Sequence, residues 1–414
     1  MEEKRLLSGV RVLDFGRVLA APHAARHMSD LGAEVIKIER PVYGDDIRMD
    51  PFIFDDGLSA GFMQQNWGKL SLSIDLRHPR AREVLGRLVE HSDVVFENFR
   101  PGVMALMGLS YDEMRQINPK IIMCSVSAFG QTGPYAQRAG YGPIAEALAA
   151  IPELTGERDG PPMPTLVPIA DNVASALALA AVCAALFNRE RTGEGEYIDV
   201  SLLDAAFQMH DMAVQQFLAS HGEVRMTRRG LLDETWVPWG FFHRHDGWVA
   251  IMAGNESIWR SLARVMGRED MIGDSKYSSY ESRYEHREEI YGIVREWVDG
   301  FEKLDDVVAV LAENGIPGGP VNDVEAAIAD PQIQARGMLK EFDHPVVGRV
   351  RVMNSGIHLT NTAADVRGIA PDLGEHNRKI LTEIAGFSTE EVAEFYTEGL
   401  LYEHPRVTAA SVKT

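Results

Sequence analysis

The alternation of short strand-like runs with amphipathic segments over the first 200 residues constrains the fold more than any other feature of this sequence. Residues 10–15 and 34–39 are strand-like and flank a helix-compatible stretch at 20–31, which makes one βαβ unit. The same alternation continues with strand-like runs at 71–76, 93–97, 121–126 and 196–201 and helix-like segments at 79–91, 111–117 and 172–191. Strands separated by helices predict an α/β fold, with a Rossmann-like large domain built on a mostly parallel sheet.

A second region with a different pattern begins near residue 226. Residues 241–251 hold two β-prone runs around the Asp246-Gly247 turn, which predicts a hairpin, and helix-like segments follow to about residue 314. The Gly- and Pro-rich residues 315–320 are interpreted as a linker. We therefore predict a large domain from residues 1–205 and 335–414, a smaller α+β domain at 225–325, and linkers at 206–224 and 326–334.

The charge balance excludes several classes of partner. The chain carries 41 Lys plus Arg against 61 Asp plus Glu, a net charge of -20. A polyanion would be repelled by such a surface, so we expect neither nucleic acid nor an anionic membrane as a partner. A small charged ligand stays compatible with the sequence, since a local basic site can override the global field.

The cysteines and the apolar segments predict a cytoplasmic protein. Cys124 and Cys183 both lie in apolar surroundings, which argues against a disulfide framework or a zinc site. Residues 1–5 have mixed charge and lack the apolar core of a secretion signal. The longest apolar stretch, 173–187, is shorter than a membrane span and is interpreted as a buried helix.

Two cofactor motifs are incomplete. Glu39 ends the second strand where a dinucleotide-binding fold often has its ribose-binding acid, but residues 16–21 lack the G-x-G-x-x-G loop. His243 and His245 alternate on one predicted strand, yet no third metal ligand lies near them. The sequence therefore predicts no tightly bound cofactor and no metal.

Four arginines indicate an anion site. Arg17, Arg40, Arg77 and Arg100 lie at or just beyond the ends of predicted strands. In a doubly wound fold the carboxyl ends of the strands meet at a ligand crevice, so these side chains could bind phosphate groups. Surface ion pairs explain each of them singly just as well.

Asp171 has two interpretations from its position alone. It follows a Pro-containing loop and precedes the Ala-rich segment, as a helix N-cap does. The same position would keep its carboxylate ionised and next to helix amides, as a nucleophile requires. The cap is the more common role for such an aspartate.

Several ordered motifs resemble the class III CoA-transferase family, also called the CaiB/BaiF or formyl-CoA transferase family, over nearly the whole chain. They are the segments LSGVRVLD at 7–14, DLGAEVIKIE at 30–39, ENFRPG at 97–102, SAFGQTGP at 127–134, RTGEG at 191–195, GIPGGP at 315–320 and LGEH at 373–376. This resemblance assigns the catalytic aspartate to Asp171.

The resemblance implies transfer of CoA from an acyl-CoA thioester to an acceptor carboxylic acid. In the implied mechanism Asp171 attacks the donor thioester and forms a mixed anhydride. The released CoA thiolate converts it to an aspartyl-CoA thioester, which the acceptor acid then attacks. CoA is thus a substrate and product, and the partners are an acyl-CoA and a small carboxylic acid.

The family's binding positions are carried over residue by residue. CoA contacts are implied at Arg17, Val18, Ala20, Arg40, Ile74, Arg77, Asn98, Phe99 and Val103. The family's glycine-rich active-site loop corresponds to Gly254, Asn255 and Glu256, where one glycine remains. Two such chains would form an interlocked homodimer.

Two other functions stay open. The same fold includes α-methylacyl-CoA racemases, in which a His-Asp pair follows the Gly-Pro loop. Here residues 139–142 read Ala-Gly-Tyr-Gly, although Tyr141 can itself exchange protons. The other hypothesis is an acyl-CoA-binding protein without catalytic activity. The presence of Asp171 argues against it.

Overall fold

The computed structural model describes residues 5–49 and 58–411. Of the amino-terminal stretch considered for a secretion signal, residues 1–4 lie outside this description. The strands are β1 Arg11–Asp14, β2 Glu34–Glu39, β3 Leu70–Ser73, β4 Val94–Glu97, β5 Ile122–Ser127, β6 Tyr197–Ser201, β7 Trp239–Arg244, β8 Gly247–Met252, β9 Gly318–Pro320, β10 Leu339–His344 and β11 Gly348–Met353.

The α-helices are α1 Ala20–Asp30, α2 Ala60–Asn66, α3 Ala81–Glu90, α4 Val103–Leu106, α5 Tyr111–Ile117, α6 Gly142–Leu148, α7 Ile169–Thr192, α8 Leu202–Phe207, α9 Ala213–Ala219, α10 Glu256–Val265, α11 Tyr280–Glu285, α12 Arg287–Asp299, α13 Leu304–Glu313, α14 Val324–Ala329, α15 Pro331–Ala335, α16 Asn377–Lys379, α17 Thr389–Thr397 and α18 Pro405–Ser411. Short 3₁₀ turns lie at Asp46–Met49, Pro152–Leu154 and Glu269–Ile272, and a π-helical turn lies at Ile380–Ile384.

A parallel sheet organises the first part of the chain. Within the described residues it has six strands in the order β3-β2-β1-β4-β5-β6, the order of a Rossmann fold. The strand order reverses between β1 and β4, because Val12 on β1 pairs with Val35 on one side and Val94 on the other. The predicted α/β class with a Rossmann-like, mostly parallel sheet is confirmed, and the reversal places a ligand crevice beyond the carboxyl ends of β1 and β4.

The carboxyl-terminal segment packs into the core of this sheet. Leu13 and Val95 of the central strands share one buried cluster with Ile380, Leu381 and Phe395. By contacts, residues 1–150, 165–211 and 334–414 form one compact unit, and residues 151–164 and 212–333 form another. Residues 151–164 are thus grouped with the second unit, although our predicted large domain includes them.

The second unit has its own sheet and core. Its antiparallel sheet has the order β7-β8-β9, and the β7–β8 hairpin turns at Asp246-Gly247 as the sequence predicts. Trp259 of α10 is fully buried in the apolar cluster beneath this sheet. The linker expected at 315–320 was wrong in part, because residues 318–320 pair with β8 as strand β9.

Helix α7 is longer than the sequence analysis predicted. It begins at Ile169 rather than at residue 172, and its 24 residues include an 18-residue window of mean hydropathy 1.9. By length and composition alone the whole helix could cross a membrane, whereas the uninterrupted apolar stretch 173–187 within it is shorter than a span. Only 39% of the window is buried, so the predicted buried helix is buried along one stripe, which comprises Ala170, Ala174, Ser175, Ala178, Val182 and Leu186.

Candidate active site

A cavity of about 470 Å³ opens at the carboxyl ends of β1, β4 and β5. It lies in the first unit, where the strand order reverses. The candidate site residues from the sequence that line it are Arg17, Val18, Ala20, Asn98, Phe99, Arg100, Tyr141 and Asp171. The fold thus brings the candidate nucleophile and a large part of the predicted CoA site to one crevice.

The loop after β1, which forms one wall of the cavity, is held by side chains from elsewhere in the fold. The carboxamide of Asn98 accepts a hydrogen bond from the Arg17 amide at 2.7 Å and donates one to the Arg17 carbonyl at 2.8 Å. The Val18 amide donates to Asp45 at 2.9 Å. Val18 has a φ of 62°, which a β-branched residue rarely adopts, so these contacts hold a strained turn at the edge of the cavity.

Buried charges lie directly beneath this loop. Lys37 contacts Asp45 at 2.8 Å and also donates to the Gly16 carbonyl, while Lys69 contacts Asp14 at 2.8 Å. All four charged side chains are fully buried. Because each charge has a partner of opposite sign, the network fixes the path of the backbone from β1 into α1.

Glu39, which stands where a dinucleotide-binding fold often has its ribose-binding acid, forms its hydrogen bonds with other groups of the protein. Glu39 is buried, and its carboxylate accepts hydrogen bonds from Arg48 at 2.7 and 2.9 Å, from the Ser71 hydroxyl at 2.8 Å and from the Asp45 amide at 3.0 Å. It therefore stabilises the loop after β2 and does not face a ligand. This arrangement supports the prediction, made from the missing glycine loop, that the crevice is not a dinucleotide site.

Asp171 lies in the first turn of α7 and is not its N-cap, because the helix starts two residues earlier with Pro168 at the cap position. The N-cap interpretation is therefore wrong. Burial, followed by the charge of Glu146, raises the pKa of the Asp171 carboxyl from its ordinary 3.8 to about 6, although a backbone hydrogen bond of Asp171 itself opposes the shift. The carboxylate is ionised at neutral pH and is more basic than an ordinary aspartate.

Glu146 was missed by the sequence analysis. It is buried on α6, where it accepts a hydrogen bond from the Ala170 amide at 3.1 Å. The amide of the residue before Asp171 is thus satisfied by a side chain 24 residues earlier. Only its place in the apolar segment 144–149 distinguishes Glu146 in the sequence.

The other predicted CoA contacts lie outside the cavity lining. Arg40 pairs with Asp46, which also lies 3.9 Å from Arg17, so Arg40 is next to the cavity edge. Arg77 has a 93% exposed side chain and contacts Asp75 at 3.4 Å. Ile74 is fully buried in the core, and Val103 begins helix α4.

Two further cations line the cavity with Asp171. Arg100 belongs to the arginine set singled out in the sequence, whereas Arg138 was not predicted. The Arg138 guanidinium lies 5.2 Å from the ring centre of Tyr135 and 5.8 Å from that of Phe129. Across the described residues no carboxylate lies within ion-pair distance of Arg138 or Arg100, so both charges are available to an anionic ligand. No cluster of metal ligands occurs among those residues either.

The predicted active-site loop lies in the second unit. Asn255 is the N-cap of α10 and accepts a hydrogen bond from the Ile258 amide at 2.9 Å. Glu256 contacts Arg283 at 3.0 Å, and Arg283 also donates to the Gly254 carbonyl at 3.2 Å. These three residues form an ordered helix start, and their role at the active site stays a prediction.

Comparison with known proteins identifies the class to which this fold and cavity belong. The model of CoA-transferase family III matches residues 7–377. The chain belongs to that family and is a CoA-transferase enzyme, which confirms the resemblance inferred from the motifs.

Curated relatives align over almost their whole length. The chain is 32% identical to human succinyl-CoA:glutarate CoA-transferase over 98% of this chain and 92% of that one. It is 35% identical to succinate–glutarate CoA-transferase of Agrobacterium fabrum, with 91% and 95% covered. It is 33% identical to the succinyl-CoA–L-malate CoA-transferase beta subunit of Chloroflexus aurantiacus, with 95% and 98% covered.

A solved structure shares the fold. The crystal structure of a CaiB/BaiF family protein from Brucella suis is 34% identical and superposes with a TM-score of 0.81. The match covers 92% of this chain and all of that one. The α/β architecture described above is therefore that of an experimentally determined family member.

Proposed function

We propose that this enzyme transfers CoA from a dicarboxylic acyl-CoA, such as succinyl-CoA, to a small dicarboxylic acid, with Asp171 as the nucleophile. The observation that carries the proposal is the partly buried carboxylate of Asp171 in the wall of the cavity, with a pKa raised to about 6. The names of the relatives, which pair succinyl-CoA or succinate with glutarate or malate, support the substrate class.

The transfer needs no water and no external proton. An Asp171 oxygen attacks the thioester carbon, the C–S bond breaks, and CoA leaves as a thiolate. The thiolate attacks the Asp171 carboxyl carbon of the anhydride and releases the donor acid, leaving an aspartyl-CoA thioester. The acceptor carboxylate attacks this thioester and expels the thiolate, which then takes the acceptor acyl group and frees Asp171.

The cavity supplies the charge that these anionic reactants require. Arg100 and Arg138 place two cations in the same cavity as the Asp171 carboxylate, where they would attract phosphate and carboxylate groups. Burial of Asp171 strengthens its basicity and limits access of water to the anhydride. Both effects favour transfer to an acid over hydrolysis.

Trapping of the covalent intermediate tests this mechanism. Wild-type enzyme incubated with succinyl-CoA alone should form an adduct that hydroxylamine or borohydride captures at Asp171, as read from peptide masses. Asp171→Asn should form none and lose several orders of magnitude in turnover, because an amide cannot form the anhydride. Asp112→Asn, an exposed aspartate of α5, is the matched control. Near-normal transfer by Asp171→Asn would refute the mechanism.

Isotope exchange separates transferase from racemase. A racemase must break the α-carbon to hydrogen bond, whereas a CoA transfer leaves that bond intact. A chiral 2-methylacyl-CoA incubated with the enzyme in deuterated water should therefore keep its configuration and gain no deuterium. Rapid deuterium uptake without an acceptor acid would move the assignment to the isomerase.

We further propose that the active form is a homodimer in the cytoplasm. Helix α7 leaves Ala176, Ala180, Ala184 and Phe187 exposed along one face, with Phe187 67% exposed, and a protein interface would cover such a surface. Both cysteines are free, as is typical of a reducing compartment. Light scattering should show a dimer that Phe187→Glu weakens; an active wild-type monomer would contradict the dimer.

A further inference from the structure

We propose that Glu146 is a positioning residue for Asp171. The buried carboxylate of Glu146 anchors the first turn of α7 and holds a negative charge beside the reacting group. This inference rests on the proposed nucleophilic role of Asp171. It adds a residue to the reaction that the sequence motifs do not indicate.

The contacts of Glu146 join the two segments that present Asp171. One carboxylate oxygen accepts from the Ala170 amide at 3.1 Å, and the other accepts from the Thr165 hydroxyl at 2.9 Å. Thr165 lies in the loop that leads into α7, and Ala170 is in its first turn. Glu146 itself is only 2% exposed, so a fixed side chain holds the loop and the helix start in one arrangement.

Glu146 has no neutralising cation among the residues that the structure describes. In the part of the chain that the structure describes, no Lys, Arg or His forms an ion pair with its carboxylate. A buried charge without a counter-ion repels a second negative charge nearby, because the low-dielectric interior screens it poorly. The repulsion contributes to the raised pKa of Asp171, after burial itself.

Other groups around Asp171 differ from Glu146 in sign or in setting. Helix α1 contributes the uncharged Ala20, whose carbonyl accepts from Ser175 of α7 at 2.6 Å. The remaining charged or titratable groups of the cavity are Arg17, Asp46, Arg100, Arg138 and Tyr141. Glu146 is the one anion that both touches the first turn of α7 and interacts electrostatically with Asp171 among these described neighbours.

The charge of Glu146 favours the first chemical step. Asp171 is an anion before attack and is neutral in the anhydride and in the CoA thioester. The repulsion is therefore present in the ground state and is relieved as the new bond forms, which lowers the barrier for acylation. Hydrogen bonding by Glu146 keeps the nucleophile in place during the same step.

Glu146→Gln separates charge from anchoring. The glutamine oxygen can still accept from the Ala170 amide, and its NH₂ can donate to the Thr165 hydroxyl, which can turn to donate to the Val167 carbonyl at 3.0 Å. We expect the pH midpoint of the acid limb of adduct formation with succinyl-CoA to move down by about one unit, and the rate at pH 7.5 to fall about tenfold. The KM for succinyl-CoA should change less than twofold. Glu90→Gln, at an exposed glutamate of α3, removes the same charge far from Asp171 and should match wild type.

Each outcome decides a separate question. An adduct in wild type with an unshifted midpoint in Glu146→Gln would overturn the role of the Glu146 charge and leave the proposed function intact. Absence of an adduct at Asp171 in wild type would overturn the proposed function itself. Glu146→Ala removes the acceptor as well, so it should lose more activity than Glu146→Gln; equal rates for the two variants would refute the anchoring role.

Discussion

A Cβ atom on Gly142 would lie 2.1 Å from the Oδ2 atom of Asp171. Gly142 is the first residue of α6, and its φ is not in the left-handed region. Position 142 therefore needs glycine because there is no space for a side chain, and not because of its backbone conformation. Any side chain at position 142 must displace the Asp171 carboxylate or the backbone of α6. The close approach therefore ties the position of the candidate nucleophile to the first residue of α6.

Gly142→Ala should impair catalysis more than substrate binding. The added methyl group forces Asp171 out of its position, and a displacement of about 1 Å is expected to lower kcat roughly 100-fold. The KM for succinyl-CoA should change little, because Arg17 and the other arginines stay in place. Gly292→Ala in α12 is the control, as nothing beyond its chain neighbours and the adjacent helix backbone lies within 4 Å of its added Cβ among the described residues, and it should retain full activity. Wild-type kcat in Gly142→Ala would show that the site accommodates the methyl group.

The ionisation of Asp171 should make stability depend on pH. Because the folded-state pKa of about 6 exceeds the ordinary 3.8, the native state binds this proton more tightly than the unfolded state. The associated stability is present below pH 4 and is lost as the pH rises through 6. We therefore expect the unfolding free energy of Asp171→Asn minus that of wild type to be about 1 kcal/mol larger at pH 8 than at pH 5. Urea titrations at the two pH values measure this difference, and a constant difference would contradict the raised pKa.

Asn98 should act on CoA binding through the loop after β1. Asn98→Ala removes both hydrogen bonds to the backbone of Arg17, so we expect a loss of about 2 kcal/mol in stability and a roughly tenfold higher KM for succinyl-CoA. Asn118→Ala removes a comparable set of side-chain hydrogen bonds away from the cavity, two donated to the carbonyls of Val89 and Ser92 and one accepted from the Lys120 amide. It should lose similar stability with an unchanged KM. Equal KM values for both variants would exclude the loop as a binding element.

The buried ion pair beneath this loop should be strongly coupled. Lys37→Met leaves the buried Asp45 carboxylate without its cation and should cost about 3–5 kcal/mol in unfolding free energy. Adding Asp45→Asn removes the unpaired charge, so the double variant should be more stable than Lys37→Met alone. Chemical denaturation of the single and double variants measures the coupling, and strict additivity would show that the two charges act independently.

Arg40 and Arg77 test the extent of the CoA site. Both were assigned to CoA by resemblance, so Arg40→Ala and Arg77→Ala should each raise the KM for acyl-CoA, by about tenfold for a well-formed charged contact, with a smaller effect on kcat. Initial-rate kinetics over a range of succinyl-CoA concentrations supply the measurement. Unchanged KM values in both variants would mean that the nucleotide part of CoA binds in another crevice.

Local patterns in the sequence were sufficient for the class of fold. Strand-like runs alternating with amphipathic segments specify buried strands and covering helices, because each needs only neighbours a few residues away. The family motifs were sufficient for the family, and the assignment of the nucleophile to Asp171 stays a prediction. The sequence analysis located helix α7 but placed its start at residue 172, three residues after the observed start at Ile169, because Pro168 and the loop before it set the boundary.

The tertiary structure alone decided how the site is held. Asn98 contacts Arg17 across 81 residues, Glu146 reaches Ala170 across 24, and Gly142 makes room for Asp171 across 29. None of these pairs has a local signature, because a buried carboxylate, a carboxamide and a glycine each have many uses in a folded chain. Their roles follow from which backbone atoms the packing brings within hydrogen-bond or van der Waals distance, and that depends on the whole sheet and the helices against it.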